Sequence, residues 1–293
     1  MTTPNDPEAV REQYATDRCL RIRQEFEDKF LSPKINFASW VIQSMQWHGD
    51  EAVLDAGCGV GVYYTKLTEI YPDIDYSGID LSPGMVEKHP AGDRVTLGDA
   101  QKMTFPDDSF DVVMANHMLY HMADIDATLE EFKRVLKPGG VIVASTDGAN
   151  NMPELQVLLR RAILLLTQSG ALRLQPPVQP SSLFALENGA SQLSRHFYGV
   201  MRYDLPGKFT FDQIDPVIEY LNSSRPMLEP QLPEDVAWND LTTIMKQQIG
   251  HLIDHLGEFT VSKFSGVLMA SNNGGFIQEF TQTRNKVGES YES

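Results

Sequence analysis

The sequence predicts an α/β fold in which helices cover both faces of a mostly parallel sheet. Short apolar runs alternate with segments of helical periodicity between residues 50 and 147, which is typical of βαβ units. A glycine-rich turn at residues 57–61 joins the first apolar run to the first helical segment. A Pro-Gly-Gly sequence at residues 138–140 ends the last helical segment before the fifth run. Strands joined through helices in this way run parallel.

The residues before the alternating region predict helices. Residues 8–30 place apolar side chains among charged ones in a loose helical pattern, which a Ser-Pro pair ends. A second apolar stretch follows at residues 37–47. We expect residues 1–48 to form an N-terminal helical lid.

The alternating region, residues 49–149, is predicted to form the core of the sheet. Two of its segments are predicted helices, residues 62–71 and residues 127–136, and the apolar side chains of the second share one face. A further helix is predicted to start at Ser82-Pro83. The Lys-Pro-Gly-Gly sequence then stops the last helix. The five predicted strands are residues 52–55, 76–79, a weaker run near Val95, 110–115 and 141–144.

The remaining residues, 150–293, are less regular and are predicted to complete the sheet and to form a C-terminal helical cap in the same composite domain. Two segments alternate apolar with polar residues and give a total of seven strands, with the last one antiparallel. The expected elements are a helix at 155–167, a loop at 172–182, strands at 199–211 and 257–270, and cap helices at 212–222 and 233–256.

Composition excludes several classes of function. The chain has 293 residues, with 24 Lys and Arg against 40 Asp and Glu, so its formal net charge is −16. Proteins that bind nucleic acid through phosphate contacts need a basic surface, so no nucleic-acid partner is expected. Hydrophobic residues make up 42% of the chain, which is enough for a substantial core.

Membrane insertion and secretion are not expected. The longest apolar run near the centre, residues 162–166, is far shorter than the ~20 residues that a membrane span needs. The first residues include neither the basic nor the apolar segment of a secretory signal. With only Cys19 and Cys58, the chain has no disulfide framework. We expect a cytoplasmic protein.

The strongest functional signal is the sequence Asp-Ala-Gly-Cys-Gly-Val-Gly at residues 55–61. Glycines at Gly57, Gly59 and Gly61 allow a tight turn and let a ligand approach the backbone. The following helix offers free N–H groups at its N-terminus. A tight turn without a ligand, or a dinucleotide site, would explain the glycines too. The dinucleotide fingerprint, however, places its third glycine one residue further on.

Further features make a nucleotide site more specific. Asp80 ends the second predicted strand, where a carboxylate can accept hydrogen bonds from both hydroxyls of a ribose. Gly-Asp-Ala at residues 98–100 follows the third strand. Together with Lys-Pro-Gly-Gly at residues 137–140, these motifs resemble the S-adenosylmethionine (SAM)-dependent methyltransferases of the class I, Rossmann-like, seven-stranded type.

The resemblance is specific between about residues 50 and 147 and diffuse elsewhere. The segments around Tyr14 and Phe184 are similar to bacterial small-molecule methyltransferases of this class. The resemblance implies SAM as cofactor, S-adenosylhomocysteine as product and a small-molecule acceptor as partner. A homodimer is left open.

For the methionine end of SAM, the resemblance implies that the three glycines pass beneath it. Asp55 would lie under the loop and help to hold the amino group, or would only brace the loop. Asn116, at the end of the fourth strand, would contact the methionine end. Tyr14 would lie against the sulfonium, and Arg23 or Arg18 would pair with the carboxylate. An amphipathic helix with solvated arginines would explain these last residues equally well.

For the adenosine end, the resemblance implies that Asp80 binds the ribose and that Leu81 lies against the adenine. Asp99 would face the adenine amino group, and the backbone of Ala100 would face the ring edge. Asp80 and Asp99 would otherwise serve as turn or cap residues at strand ends. The other residues expected to contact the cofactor are Cys58, Met85 and His117.

The catalytic candidates follow the fourth strand. Methyl transfer is an in-line displacement, and a general base helps only if the nucleophile must lose a proton. His117 and His121 titrate near neutral pH and, four residues apart, would share one helical face; alternatively, one of them is structural. No metal site is expected. The predicted substrate contacts are Tyr120, His121, Asp147 and Phe184. Met118, Met122, Phe37, Trp40 and Phe184 line an apolar acceptor pocket or belong to the core.

The sequence therefore predicts a methyltransferase that transfers a methyl group from SAM to O, N or C of a small metabolite. Two alternatives stay open. The first is an enzyme of the same fold that binds SAM and catalyses a step such as cyclisation. The second is a non-catalytic SAM-binding subunit. The motifs that bind a cofactor do not identify the acceptor.

Overall fold

The computed structural model describes residues 5, 10–11, 14–167 and 177–273. They form an α/β fold around one mixed sheet of eight strands. The strands are β1 (Leu31–Ser32), β2 (Ala52–Ala56), β3 (Asp75–Asp80), β4 (Val95–Leu97), β5 (Phe110–Asn116), β6 (Leu136–Asp147), β7 (Gly199–Phe211) and β8 (Phe259–Ser271). The helices are α1 (Arg18–Phe30), α2 (Phe37–Ile42), α3 (Val62–Ile70), α4 (Pro83–Val86), α5 (Ile125–Val135), α6 (Pro153–Leu166), α7 (Leu186–Leu193), α8 (Asp215–Ser223), α9 (Arg225–Leu228) and α10 (Trp238–Leu256).

The strand order is β1-β7-β8-β6-β5-β2-β3-β4. Strands β4, β3, β2, β5 and β6 are parallel, whereas β8 pairs antiparallel with β6 and β1 pairs antiparallel with β7. The mostly parallel α/β fold and the antiparallel last strand are thus confirmed. The predicted count of seven strands is wrong, because β1 has two residues and so carries no periodicity that a sequence pattern could reveal.

The chain divides into two compact units, each built from separate stretches of sequence. The predicted boundary between residues 149 and 150 coincides with a change of unit, whereas residues 48 and 49 both belong to the second unit. The roles of lid and cap stay predictions. The first unit comprises Met1–Ile35, Asn150–Pro180 and Leu205–Phe264, and the second comprises Asn36–Ala149, Ser181–Asp204 and Ser265–Ser293, within the described residues.

The first unit packs around a cluster of aromatic side chains. The ring of Phe26 on α1 lies 4.9 Å from that of Phe209 and 5.3 Å from that of Phe211, both on β7. Helices α6, α8 and α10 add buried apolar residues to the same core. Trp238 at the start of α10 is buried and donates its indole N–H to Asn222 at 2.8 Å. Aromatic rings therefore form one part of a core that is otherwise built from aliphatic side chains.

The second unit contains the parallel part of the sheet, whose central strands β2 and β5 are buried along almost their whole length. Helix α5 shows how the sequence specifies its covering helices. Asp124 caps it by accepting the N–H of Ala127 at 2.9 Å, and Leu129, Phe132 and Val135 are fully buried on one face, as the pattern predicts.

The predicted start of the fifth core strand differs from the structure. Strand β6 begins at Leu136, so the Lys-Pro-Gly-Gly sequence lies inside the strand instead of before it. A bulge makes this arrangement feasible, because Phe110 pairs with Leu136 but Val112 pairs with Val141, and Gly139 adopts a φ of 85°. The predicted loop at 172–182 lies partly outside the described residues. Among the helices that the structure describes, none has the length and apolar character needed to cross a membrane.

Candidate functional site

The carboxyl ends of five parallel strands in the second unit lie along one edge of the sheet. Each carries a residue that the sequence singled out. Gly57 follows β2, Asp80 ends β3, Asp99 follows β4, Asn116 ends β5 and Asp147 ends β6. Ligands of open α/β sheets bind at this edge, so the structure brings these candidates together where a site is expected.

The glycine-rich loop after β2 has a backbone that only glycine adopts easily. Gly57, Gly59 and Gly61 have φ values of 67°, 56° and 82°. A Cβ atom on Gly57 would lie 2.8 Å from the Cβ of Met118, and one on Gly61 would lie 2.7 Å from the Cδ of Pro90. The glycines are therefore required by conformation and by lack of space.

Asp80 ties this loop to the end of β3. One carboxylate oxygen accepts the N–H of Gly59 at 2.9 Å, and the other accepts the N–H of Ser82 at 2.8 Å. Burial raises the pKa of Asp80, while these amide hydrogen bonds lower it in part. A carboxylate offers about four acceptor positions, so Asp80 retains capacity for a ligand hydroxyl.

Asp99 is held by a residue that the sequence analysis missed. One of its oxygens accepts the backbone N–H of Gln101 at 2.9 Å, and the side-chain amide of Gln101 lies 3.3 Å and 3.2 Å from the two oxygens. The spacing of an aspartate and a residue two positions later is typical of an Asx turn and is the signal that would have found Gln101. Of the other residues expected at the adenosine end, Ala100 and Met85 are buried and Leu81 is half-buried.

Asn116 is the clearest sign of an incomplete site. The residue is 8% exposed, and neither its side-chain nitrogen nor its side-chain oxygen has a hydrogen-bond partner in the part of the chain that the structure describes. Buried amides are nearly always paired. Because Met118 contacts Gly57, the end of β5 lies beside the glycine-rich loop. The donor and the acceptor of this amide are therefore both left for a polar ligand to satisfy.

The segment after β5 does not form the predicted helix, so the expectation that His117 and His121 share a helical face is wrong. His117 has a left-handed backbone with φ of 52°, and its N–H bonds the carbonyl of Ser145 at 2.9 Å. Only Leu119–His121 is helical, as a single 3₁₀ turn. The ring of His117 lies 5.3 Å from that of Phe37, while His121 is buried with its ring 4.5 Å from Tyr120.

The other predicted substrate contacts have partners within the protein. Asp147 accepts a hydrogen bond from the hydroxyl of Ser265. Phe184 is completely buried beside Gly189, and its carbonyl accepts the hydroxyl of Thr146. A substrate contact with Phe184 would require this ring to become exposed. The roles of Asp147 and Phe184 toward substrate stay predictions.

Tyr14 and Arg23 belong to the first unit. The guanidinium of Arg23 donates to the carbonyl of Ser223 at 3.1 Å and to its hydroxyl at 3.3 Å. The predicted contacts of Tyr14 and Arg23 with a cofactor stay predictions. Among the described residues, the structure contains no group of three His, Cys, Asp or Glu side chains that could hold a metal ion.

Asp55 lies beneath the loop, 1% exposed, and accepts the hydroxyl of Tyr76 at 3.0 Å. The hydroxyl oxygen of Tyr76 in turn lies 3.2 Å from Nε2 of His89. Burial raises the pKa of Asp55 to about 7. Neither Tyr76 nor His89 was predicted as a site residue from the sequence. The alternation Tyr76, Gly78, Asp80 on one face of β3 was the available signal, because Gly78 pairs with Asp55.

Comparison with known proteins gives one family match, to the Methyltransferase domain, over residues 54–144. The chain is 34% identical over 111 residues to malonyl-[acyl-carrier protein] O-methyltransferase of Serratia marcescens, covering 37% of this chain and 43% of that one. It is 30% identical over 157 residues to demethylmenaquinone methyltransferase of Symbiobacterium thermophilum, covering 47% and 60%. The chain thus spans less than two thirds of the length of either relative.

Solved structures show the same fold. Phosphoethanolamine N-methyltransferase 2 of Haemonchus contortus, solved with phosphomonomethylethanolamine and S-adenosylhomocysteine, has a TM-score of 0.53 at 17% identity, covering 93% of this chain and 61% of that one. The YcgJ protein of Bacillus subtilis has a TM-score of 0.50 at 20% identity, covering 82% and 99%. At these identities the likeness concerns the fold alone.

Proposed function

Because residues 54–144 form a methyltransferase domain of the class I, SAM-dependent type, we propose that this protein transfers the methyl group of SAM to a small-molecule acceptor. The observation that carries the proposal is the glycine-rich loop with a left-handed backbone, whose Gly59 amide is held by Asp80. This arrangement places the carboxylate of Asp80 beside the glycine backbone at the carboxyl edge of the sheet, where α/β folds bind nucleoside ligands.

The cofactor would be held by residues along this edge. Asp80 would accept the ribose hydroxyls, and Asp99 would face the adenine amino group, with Gln101 holding its carboxylate in place. The unpartnered amide of Asn116 would bond the amino-acid end. When bound, SAM supplies a methyl group already activated by its sulfonium, so the protein's work is to align the acceptor and exclude water.

A general base is needed only for an acceptor that must lose a proton. His117 is the better placed of the two predicted bases, because it is half-buried whereas His121 is buried. We propose that Tyr120, His121 and Asp147 lie beside the acceptor, in keeping with the sequence prediction. Phe184 would join them only if its ring, which is completely buried, became exposed.

The relatives named above methylate malonyl-[acyl-carrier protein] on oxygen, or demethylmenaquinone, as their names state. They share only part of their length with this chain, so the proposal extends to a small molecule methylated on O, N or C and not to one of these compounds. The acidic net charge of −16 also favours a small acceptor over nucleic acid.

The test is a labelled-methyl experiment. The protein is incubated with SAM carrying a deuterated methyl group and with pooled small metabolites, and mass spectrometry follows labelled products and S-adenosylhomocysteine. We expect a labelled product together with S-adenosylhomocysteine, and neither with Gly59→Arg, which blocks the loop. Tight binding of SAM without transfer of label to any metabolite would contradict methyl transfer to a small molecule.

A further inference from the structure

Beneath the glycine-rich loop lies a buried chain of hydrogen bonds that the proposed cofactor contacts do not use. It joins the backbone N–H of Ala91 to Nδ1 of His89 at 3.1 Å, Nε2 of His89 to the hydroxyl of Tyr76 at 3.2 Å, and that hydroxyl to Asp55 at 3.0 Å. Asp55 and Tyr76 are each 1% exposed, and His89 is 4% exposed.

The hydrogen bond from Ala91 determines which atom donates in each of the other hydrogen bonds of this series. Since the Ala91 amide can only donate, Nδ1 of His89 must be the acceptor, and a neutral imidazole then carries its proton on Nε2. That proton points to the oxygen of Tyr76, so the tyrosine hydroxyl donates its own proton to Asp55. Burial lowers the pKa of His89 to about 4, which keeps the ring neutral. The chain therefore ends on a carboxylate that acts as acceptor.

His89 also contacts the loop directly. A Cβ on Gly61 would lie 2.9 Å from both Cε1 and Nε2 of His89 and 2.7 Å from Cδ of Pro90, so the imidazole and the proline ring fill the space behind the loop. The ring of Tyr64 covers this arrangement, 4.7 Å from the ring of Tyr76 and 5.5 Å from that of His89.

We propose that Tyr76 and His89 are positioning residues of the cofactor site, which hold Asp55 as an ionised acceptor beneath the glycine-rich loop and fix the backbone at Gly61 from behind. The negative charge of Asp55 then attracts the ammonium group of a bound amino-acid moiety across the glycine-rich loop and so increases the affinity for that moiety. The inference rests on the proposed function, since it concerns how the same site holds the amino-acid end of SAM. The other titratable groups near Asp55 and Tyr76 are Cys58, Tyr64 and Asp80.

The experiment compares two ligands by calorimetry. S-Adenosylhomocysteine has both the nucleoside and the amino-acid end, whereas 5′-methylthioadenosine lacks the amino-acid end. Above the pKa of Asp55, we expect Tyr76→Phe and His89→Leu to weaken S-adenosylhomocysteine binding about tenfold and to leave 5′-methylthioadenosine within about twofold, as loss of one hydrogen bond to a charged group implies. His89→Gln, whose amide can donate to Tyr76, is expected to restore most of the affinity. Tyr71→Phe removes a hydroxyl elsewhere in the same unit and is the control.

The pH profile gives a second readout that a purely structural role would not change. Wild-type affinity for S-adenosylhomocysteine is expected to fall as the pH drops through the pKa of Asp55, and Tyr76→Phe is expected to move this midpoint upward, because the tyrosine hydrogen bond lowers that pKa. Equal losses for both ligands, or an unmoved midpoint, would overturn the inference alone. A wild-type protein that binds neither ligand would overturn the proposed function and this inference with it.

Discussion

In the first unit two pairs of polar residues bond across separate elements of the fold, whereas in the second unit polar groups gather at the carboxyl ends of parallel strands. Lys263 pairs with Glu27 at 2.9 Å and Arg23 donates to Ser223, and both pairs tie elements of the first unit together. At the strand ends of the second unit, Asp80 holds a strained loop and Asn116 buries an unpartnered amide. Because buried polar groups are nearly always paired, the unpartnered amide of Asn116 supports the proposal that this edge of the sheet binds a ligand.

The largest expected effect tests the stabilising role of the aromatic core in the first unit. Phe26→Ala removes a ring packed against four other rings and is expected to lower the free energy of unfolding by about 3–5 kcal/mol. Urea unfolding followed by circular dichroism measures this change. Glu25→Ala, at an exposed position on the same helix, is the control and should change little. If a folded Phe26→Ala variant lost cofactor binding, the contrast between a stabilising first unit and a ligand-binding second unit would be wrong.

The second prediction concerns the strained loop of the second unit. Gly57→Ala must adopt a left-handed φ and place a Cβ against Met118, so we expect a loss of about 2–4 kcal/mol in unfolding free energy together with loss of SAM binding. Gly92→Ala is the matched control, because Gly92 has a φ of 57° but nothing within 4 Å of the added atom. It should cost about 1 kcal/mol and keep SAM affinity. Equal costs at the two positions would show that the contact with Met118 does not matter.

The third prediction separates ligand capacity from structure at Asp80. Asp80→Ala removes the acceptor of the Gly59 and Ser82 amides and is expected to weaken SAM binding by about 1.5–3 kcal/mol, measured by calorimetry. Asp75→Ala, at the exposed start of the same strand, is the control. Unchanged affinity in Asp80→Ala would remove Asp80 from the proposed site.

The fourth prediction uses the pKa of Asp55. In the folded chain this pKa is about 7, against an ordinary value of 3.8. Between these values the folded chain keeps a proton that the unfolded chain has lost, so Asp55 lowers stability as the pH rises through that window. Asp55→Asn removes this effect. Its unfolding free energy relative to wild type should therefore rise between about pH 4 and pH 7 and stay constant above, in urea titrations at several pH values. A constant difference across this range would contradict the raised pKa.

The smallest effect is expected at Arg23. Arg23→Gln loses its hydrogen bonds to Ser223 and should lower the unfolding free energy by about 1 kcal/mol. If Arg23 also binds the cofactor carboxylate, as the resemblance implies, the variant will weaken S-adenosylhomocysteine but not 5′-methylthioadenosine, which has no carboxylate. An unchanged ratio of the two affinities would limit Arg23 to its contact with Ser223.

The parts of the fold that the sequence predicts are those with a local signal. The strands β2, β3, β5 and β7 lie within two residues of their predicted bounds, because apolar runs mark the first three and alternation of apolar with polar residues marks β7. The two-residue β1 and the early start of β6 depend on pairing partners distant in sequence. Local signals also predict part of the site, because Asp80 and Asn116 lie at the ends of strands that the sequence predicts. His89 lies 13 residues from Tyr76 and becomes visible only through their contact.

The left-handed turn at His117 shows where residue spacing alone fails to predict the local structure. Four-residue spacing of His117 and His121 indicates a helix when read alone, but the chain leaves β5 with φ of 52° and bonds Ser145 on the neighbouring strand. Tertiary hydrogen bonding here overrides local periodicity, as is common beside functional sites.

Because Cys58 is buried, the rate at which its thiol is alkylated can report local opening of the glycine-rich loop. Its thiol packs against Gly78, and burial together with the carboxylates of Asp55 and Asp80 raises the pKa of the thiol, so it forms thiolate very rarely while the loop is closed. Cys19, in the first unit, is half-buried. An alkylating reagent should modify Cys19 first, and the later modification of Cys58 then reports how often the loop opens. A ligand that holds the loop closed would slow only the second event.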